Sequence, residues 1–100
     1  MINTTMLVGR LANDTTLETD KNDNKFAIIT VSVPRSVKNE EGIYENDIIP
    51  CYISGNIATN TCEYCRKGDI VGIKGKLEMK DNKLMVIAEK ITFLSSNTQD

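Results

Sequence analysis

Two glycine-bearing stretches decide the fold of this chain: MLVGRL at residues 6–11 and KGDIVGIKGKL at residues 67–77. Both have the composition of β-strands, yet Gly9, Gly72 and Gly75 lie at interior positions. Glycine weakens a strand interior and therefore marks a bend, a bulge or the close approach of another backbone. A small barrel needs such positions, because flat strands cannot close on themselves. The two stretches therefore predict a small closed β-structure.

The rest of the chain predicts three more strands and one helix. Residues 26–35 alternate clearly, with Ala27, Ile29, Val31 and Val33 on one face. We expect strands at 2–11, 26–35, 45–54, 69–80 and 83–94, loops at 19–25 and 36–44, and a tight turn at 81–82. Apolar positions at helical spacing predict a helix over 56–67, closed by Gly68 and with Arg66 and Lys67 in its last turn.

Composition limits the class of protein. One hundred residues form one domain, which we place at 1–94 with a polar tail at 95–100. The formal net charge is −2 and the calculated pI is about 5.1, so any binding of nucleic acid must depend on a local arrangement of the 12 lysines and arginines. The chain has no histidine, phosphate-binding loop or nucleophile elbow, and we therefore expect no enzymatic activity.

The three cysteines are expected to be structural. Cys62 and Cys65 form a C-x-x-C pair, but they lie near the end of the predicted helix, where its dipole does not favour a thiolate. With Cys51 as the only further cysteine, the chain offers too few ligands for a zinc site. An odd cysteine count and the absence of a long apolar run predict a cytoplasmic protein without a cofactor, metal or membrane contact.

The order of three strands, a helix and two strands is that of the five-stranded OB barrel, an all-β fold with one short helix. Five stretches then resemble the bacterial and phage single-stranded DNA-binding protein family in their order and spacing. They are LVGRL at 7–11, ITVSVPR at 29–35, DIIPCYISGNIA at 47–58, EYCRKGDIVGIKGKL at 63–77 and AEKITFL at 88–94. The resemblance implies sequence-tolerant binding of single-stranded DNA in replication, recombination or repair, and a homotetramer.

The chain also departs from the family pattern. Ile48 and Ser54 stand where the family carries stacking aromatics, and the loop between the last two strands is only KDNK at 80–83. The acidic tail of cellular members does not follow, which suggests a short phage- or plasmid-type member. Two alternatives remain open: a dimeric primosome accessory protein that contacts replication proteins, and an OB interaction domain that has lost DNA binding.

The candidate DNA contacts combine aromatic and cationic side chains. Alternation places Tyr52 on the outward face of the third predicted strand with Ile48 and Ser54, while Tyr44 lies at the base of a loop and Phe26 is a further candidate. Tyr52 would alternatively pack against a neighbouring subunit. A basic row on the fourth predicted strand, with additions from elsewhere, is expected to follow the phosphates or else to form a solvated strand face. These cations are Arg10, Arg35, Lys38, Lys74, Lys76, Lys80 and Lys83.

Overall fold

The computed structural model describes residues 1–96, and in them a single sheet closes into a barrel. Its strands are β1 (Thr5–Leu11), β2 (Glu18–Thr19), β3 (Lys25–Pro34), β4 (Asn46–Ser54), β5 (Ile70–Lys80) and β6 (Lys83–Ser95), with helix α1 (Gly55–Tyr64) between β4 and β5. The strand order is β1-β5-β6-β4-β3-β2, and an additional pairing of β1 with β3 closes the barrel. The structure has six strands, but β2 has only two residues. The other five strands and the helix confirm the predicted five-stranded OB barrel.

The core lies inside the barrel and beneath α1. The alternation predicted for β3 and β4 is confirmed, because Ala27, Ile29, Val31, Cys51 and Ile53 are all fully buried. Leu11, Ala58, Cys65, Val71, Ile73 and Val86 complete this core from the rest of the chain. Burial raises the pKa of the Cys51 thiol to about 11, which keeps it protonated and unreactive at neutral pH.

Gly9 and Gly75 allow the barrel to close. A Cβ atom at Gly9 would collide with the backbone oxygen of Ser32, and one at Gly75 would collide with the backbone oxygen of Ile87. Lys74 is in register with Lys90 and Gly75 with Ala88, so Glu89 is left over as a β-bulge in β6, opposite Gly75. Gly72 does not make the close backbone approach expected of a glycine inside a strand, because the nearest atom to an added Cβ lies 3.6 Å away.

Apart from shifts of a single residue, the structure differs from the sequence prediction in three places. The first strand begins at Thr5 and not at residue 2, because the Asn3 side chain replaces the backbone: its Nδ2 donates to Leu77 O at 2.8 Å and its Oδ1 accepts from Leu77 N at 2.9 Å. The predicted loop at 19–25 begins inside β2, where Glu18 and Thr19 pair with Phe26 and Lys25.

The third difference is that α1 ends at Tyr64 and not at residue 67. Cys65 leaves the helical conformation, and the Asp69 carboxylate then accepts a hydrogen bond from Arg66 N at 2.8 Å. Arg66 still neutralises the helix end, since its Nη1 donates to the Glu63 and Cys65 carbonyls. The last strand runs to Ser95, and the end of the predicted polar tail, at 97–100, lies outside the described residues.

Candidate nucleic-acid interface

The outward side of β3 and β4 forms a continuous surface, which we call the β3–β4 face. Register pairs Phe26 with Ser54, Ile28 with Tyr52, Thr30 with Pro50 and Ser32 with Ile48. Because partners in register lie on the same side of a sheet, these eight side chains share one surface. From Phe26 to Ser32 this face is about 20 Å long at 3.4 Å per residue.

Two aromatic rings stack at one end of this face. The centroids of Phe26 and Tyr52 lie 5.6 Å apart with an angle of 17° between the ring planes. This separation is typical of an offset stack, which places two flat π surfaces side by side. Tyr52 therefore lies where the sequence predicted it, and the structure adds Phe26 as its partner.

A lysine also contacts this stack. Lys80 Nζ lies 4.4 Å from the centroid of the Tyr52 ring, which is within cation–π range. Lys80 is placed by the tight turn that follows β5, in which Asp81 and Asn82 have φ values of 51° and 63°. Two positive φ angles are typical of a type I′ hairpin turn. The tight turn predicted at 81–82 is confirmed. We call Phe26, Tyr52 and Lys80 the aromatic cluster.

Two further predicted cations lie beside the aromatic cluster. Tyr52 is in register with Ile87, and Ile87 is in register with Lys76, so Lys76 lies on the same side of the sheet. Lys83 is the register partner of Lys80 across the turn. The structure therefore brings Lys76, Lys80 and Lys83 together at the cluster, with the carboxylate of Glu78 between Lys76 and Lys80 in the strand.

Lys74 belongs to the same strand and lies two residues before Lys76. It lines a cavity of about 440 Å³ together with Met6, Val8 and Lys90. Tyr52 borders a different cavity. Alternation along β5 keeps Lys74, Lys76 and Lys80 on one side of the strand, and Lys74 lies at the end of this row beside β1, where it is in register with Met6.

The arginines and the loop residues have partners of their own. Arg35 Nη2 lies 2.9 Å from Asp47 Oδ1 and its Nε lies 3.1 Å from Oδ2, and this bidentate contact lowers the pKa of Asp47 and raises that of Arg35. Arg10 is in register with Ser32 at the far end of the β3–β4 face, and its Nη1 donates to Gly68 O at 2.9 Å. In the loop at 35–45, Lys38 Nζ lies 5.6 Å from the Tyr44 ring.

The two positions at which the resemblance implies aromatics also lie on the β3–β4 face. Ile48 is exposed at the end near Arg10, and Ser54 is exposed beside Phe26. Sequence reasoning named Phe26 but not its stacking on Tyr52, and it missed Asp20 and Asn24, which border the same cavity as Ser54. The alternation of residues in the two paired strands could have predicted the stack, because it places Phe26 and Tyr52 on the same face.

Neither a metal cluster nor a membrane-spanning helix is found in the described part of the chain. Residues 1–96 contain no group of three or more histidine, cysteine, aspartate or glutamate side chains placed to hold a metal ion. No helix within these residues has the length and apolarity needed to cross a membrane.

Comparisons with known proteins agree with this geometry. The profile of the Single-strand binding protein family matches residues 2–94. The chain is 39% identical over 80 residues to Single-stranded DNA-binding protein B of Bacillus subtilis (strain 168), which covers 80% of this chain and 71% of the relative. It is 34% identical over 110 residues to Single-stranded DNA-binding protein 1 of Staphylococcus aureus (strain MSSA476), which covers 100% of this chain and 70% of that relative.

A solved structure gives the same fold. The crystal structure of the wild-type single-stranded DNA-binding protein from Thermus aquaticus superposes with a TM-score of 0.78 at 18% identity, covering 99% of this chain and 43% of that one. At this identity the likeness concerns the barrel alone, and the family match rests on the sequence comparisons. The chain belongs to the single-strand binding protein family.

Proposed function

We propose that this protein binds single-stranded DNA with little sequence preference, and that the strand lies across the β3–β4 face. The observation that carries the proposal is the aromatic cluster, in which two stacked rings and a lysine lie on an open strand surface. Family membership supports the same ligand and a binding role without catalysis. The protein would coat and protect exposed strands during replication, recombination or repair.

Stacking explains how such a site tolerates any sequence. Every base has a π face, so a base laid on Tyr52 gains about 1–3 kcal/mol whatever its identity. In the structure Lys80 covers this ring. A base that stacks on Tyr52 would displace the ammonium group of Lys80. That group would then pair with a neighbouring phosphate of the strand. Lys76 and Lys83 provide further charge on the same side, and Arg10 would contact the strand at the far end of the face.

A titration of labelled oligo-dT at several salt concentrations tests this proposal. The logarithm of the affinity should fall linearly with the logarithm of salt, with a slope of about −0.7 for each phosphate contacted. Lys76→Gln should make this slope shallower by about 0.7, because one phosphate contact is lost.

Lys67→Gln is the matched control for this titration. Lys67 is exposed in the turn after α1, outside the β3–β4 face, so its removal should leave the slope unchanged. A wild-type protein that does not bind oligo-dT at low salt would contradict the proposal and favour the interaction-domain alternative. Equal slopes for wild type and Lys76→Gln would remove Lys76 from the interface.

We further propose that the outward surface around Met6 and Val8 of β1 and Leu94 of β6 mediates self-association, with a homotetramer as the favoured state. Residues 5–9 of β1 pair with β5 alone, so the other edge of that strand offers unpaired backbone groups. Met6, Val8 and Leu94 are exposed there around the cavity of about 440 Å³. Exposed apolar residues gathered in one place indicate an interaction surface.

Introducing a charge into this surface should weaken self-association. Val8→Glu places a carboxylate among Met6 and Leu94, which would have to be desolvated in a subunit contact. Light scattering should therefore show a smaller mass for Val8→Glu than for the wild type at the same concentration. Val37→Glu, at an exposed valine of the 35–45 loop, should keep the wild-type mass. A wild-type mass of two chains would favour the dimeric alternative, and a mass of one chain would refute the proposal.

The chemistry of the cysteines fits a reducing cytoplasm, where we place this activity. Cys51, Cys62 and Cys65 are all free thiols, and two of them are buried. Burial also raises the pKa of Cys65. Free thiols are typical of proteins in a reducing compartment.

A further inference from the structure

A polar cavity adjoins the aromatic cluster. It has a volume of about 330 Å³ and is lined by Asp20, Asn24, Lys25, Tyr52, Ser54 and Gly55. This volume is at the lower end of the range for small-ligand sites. Because Tyr52 forms one wall, a base stacked on that ring would present its edge to the polar groups of the cavity. We call this space the turn cavity.

The small side chain at position 54 keeps the turn cavity open. Ser54 lies in register with Phe26 on the β3–β4 face, at a position where the family resemblance implies an aromatic ring. A ring there would provide another stacking surface and fill space. Serine provides instead a hydroxyl group that both donates and accepts hydrogen bonds.

The turn between β2 and β3 holds a carboxylate at this cavity. Asp20 Oδ1 accepts hydrogen bonds from Asn22 N at 2.8 Å and Asn24 N at 2.9 Å, and Asp20 N donates to Asn24 O at 2.9 Å. The hydrogen bond from the Asn24 backbone is the main cause that lowers the pKa of Asp20, and the Asn24 side chain adds to it. Asp20 is therefore a fixed anion at neutral pH. A carboxylate has about four lone-pair positions, so it retains capacity for a further donor.

The charge of Asp20 determines what the cavity accepts. A carboxylate repels a phosphate group, which leaves the exposed ammonium of Lys25 at the rim as the phosphate partner. The carboxylate attracts N–H groups, and the exocyclic amines of cytosine, adenine and guanine are donors of this kind. Uracil and thymine place a carbonyl oxygen where cytosine has its amine, and that oxygen would face Asp20 unfavourably.

We propose that the turn cavity reads the edge of one base on the bound strand and favours a base with an exocyclic amino group over uracil or thymine. This inference rests on the proposed function, since a base must first stack on Tyr52. It adds one position of modest selectivity to a surface that otherwise tolerates any sequence.

Homopolymers of deoxycytidine and deoxyuridine of equal length provide the test. Both pyrimidines lack the thymine methyl group, and they differ at C4, an amine against a carbonyl, and at N3, an acceptor against an N–H donor. The wild-type protein should bind oligo-dC about 3- to 10-fold more tightly than oligo-dU at neutral pH, as expected for one hydrogen bond to a charged, partly exposed group. An oligomer of 2-pyrimidinone deoxynucleotides, which is cytosine without its amine, should lose most of that advantage. This comparison needs no protein variant.

Asp20→Asn and Asp23→Asn form the matched pair of variants. The amide introduced by Asp20→Asn keeps an oxygen that accepts the Asn22 and Asn24 N–H groups, but it donates as well as it accepts, so the dC to dU ratio should fall to about 1. Asp23 lies in the same turn with a φ of 65°, which asparagine tolerates, and it does not line the cavity. Asp23→Asn therefore removes the same charge and should keep the wild-type ratio.

The outcomes separate this inference from the proposed function. Tight, salt-dependent binding of both homopolymers with a ratio of 1 in the wild type would refute the turn cavity as a reading site and leave the proposed function intact. An unchanged ratio in Asp20→Asn, or an equal loss in Asp23→Asn, would also refute it. Failure of the wild type to bind any of the three oligomers would refute the proposed function itself.

Discussion

Tyr52→Ala is expected to weaken the binding of single-stranded DNA by about 5- to 150-fold, the factor that corresponds to the 1–3 kcal/mol of one base–aromatic stack. Tyr52 occupies the centre of the aromatic cluster, with the Phe26 ring 5.6 Å from it and Lys80 Nζ at 4.4 Å. Removing its ring takes away the stacking surface and the group that positions the lysine. Fluorescence titration with labelled oligo-dT at fixed salt measures the effect.

Two controls separate stacking from folding in this experiment. Tyr52→Phe keeps the ring and should bind within about twofold of the wild type, since the stacking energy resides in the π face. Tyr64→Ala makes the same chemical change at an exposed tyrosine on α1, which lines a separate cavity with Phe93, and it should not change affinity. If Tyr52→Ala binds as tightly as Tyr64→Ala, the strand does not lie on the aromatic cluster. Tyr52 would then be better explained as a contact between subunits.

Gly75→Ala is expected to destabilise the fold by about 3 kcal/mol, at the upper end of the usual range for overpacking. The added Cβ would overlap the backbone oxygen of Ile87, and Ala88 Cα is also close. A backbone neighbour cannot rotate away as a side chain can, so β5 and β6 must separate locally at the bulge. For a domain of this size, the melting temperature should fall by about 12–24 °C.

Gly72→Ala is the control in the same strand. Its Cβ would meet Leu94 Cδ1 at 3.6 Å, an ordinary contact with a flexible side chain, and stability should change by less than about 1 kcal/mol. Thermal melts at several protein concentrations separate folding from self-association, because only the latter makes the midpoint depend on concentration. A Gly75→Ala protein that melts together with Gly72→Ala would show that the bulge accommodates a side chain.

Local patterns in the sequence were sufficient for most of the barrel. The alternation from Ala27 to Val33 predicted which side of β3 is buried, and Asp81–Asn82 predicted the β5–β6 turn. Strand β2 was missed because two exposed residues carry no hydrophobic period. The helix end was placed too late because the Asp69 carboxylate, which receives Arg66 N after the turn, has no periodic signature of its own.

The candidate site was less predictable, since it depends on contacts between distant positions. The sequence placed Tyr52 outward, but the stack requires Phe26 from another strand. Arg35 was predicted as a phosphate contact, and its ion pair with Asp47 was missed because Asp47 follows only after the intervening loop. The exact position of the bulge, in β6 opposite Gly75, depends on the register of two strands and cannot be read from one strand alone.

The pairing of β1 has a consequence for the order in which this protein takes shape during its synthesis. Arg10 pairs with Ile70 and Thr5 pairs with Gly75, so the first strand made must wait for one of the last. At about 5–20 residues per second, a ribosome would leave this segment without its main partner for roughly 3 to 14 seconds. Its outward Met6 and Val8 would be open to chaperones throughout that delay, before the proposed contact with a second copy of the chain could form.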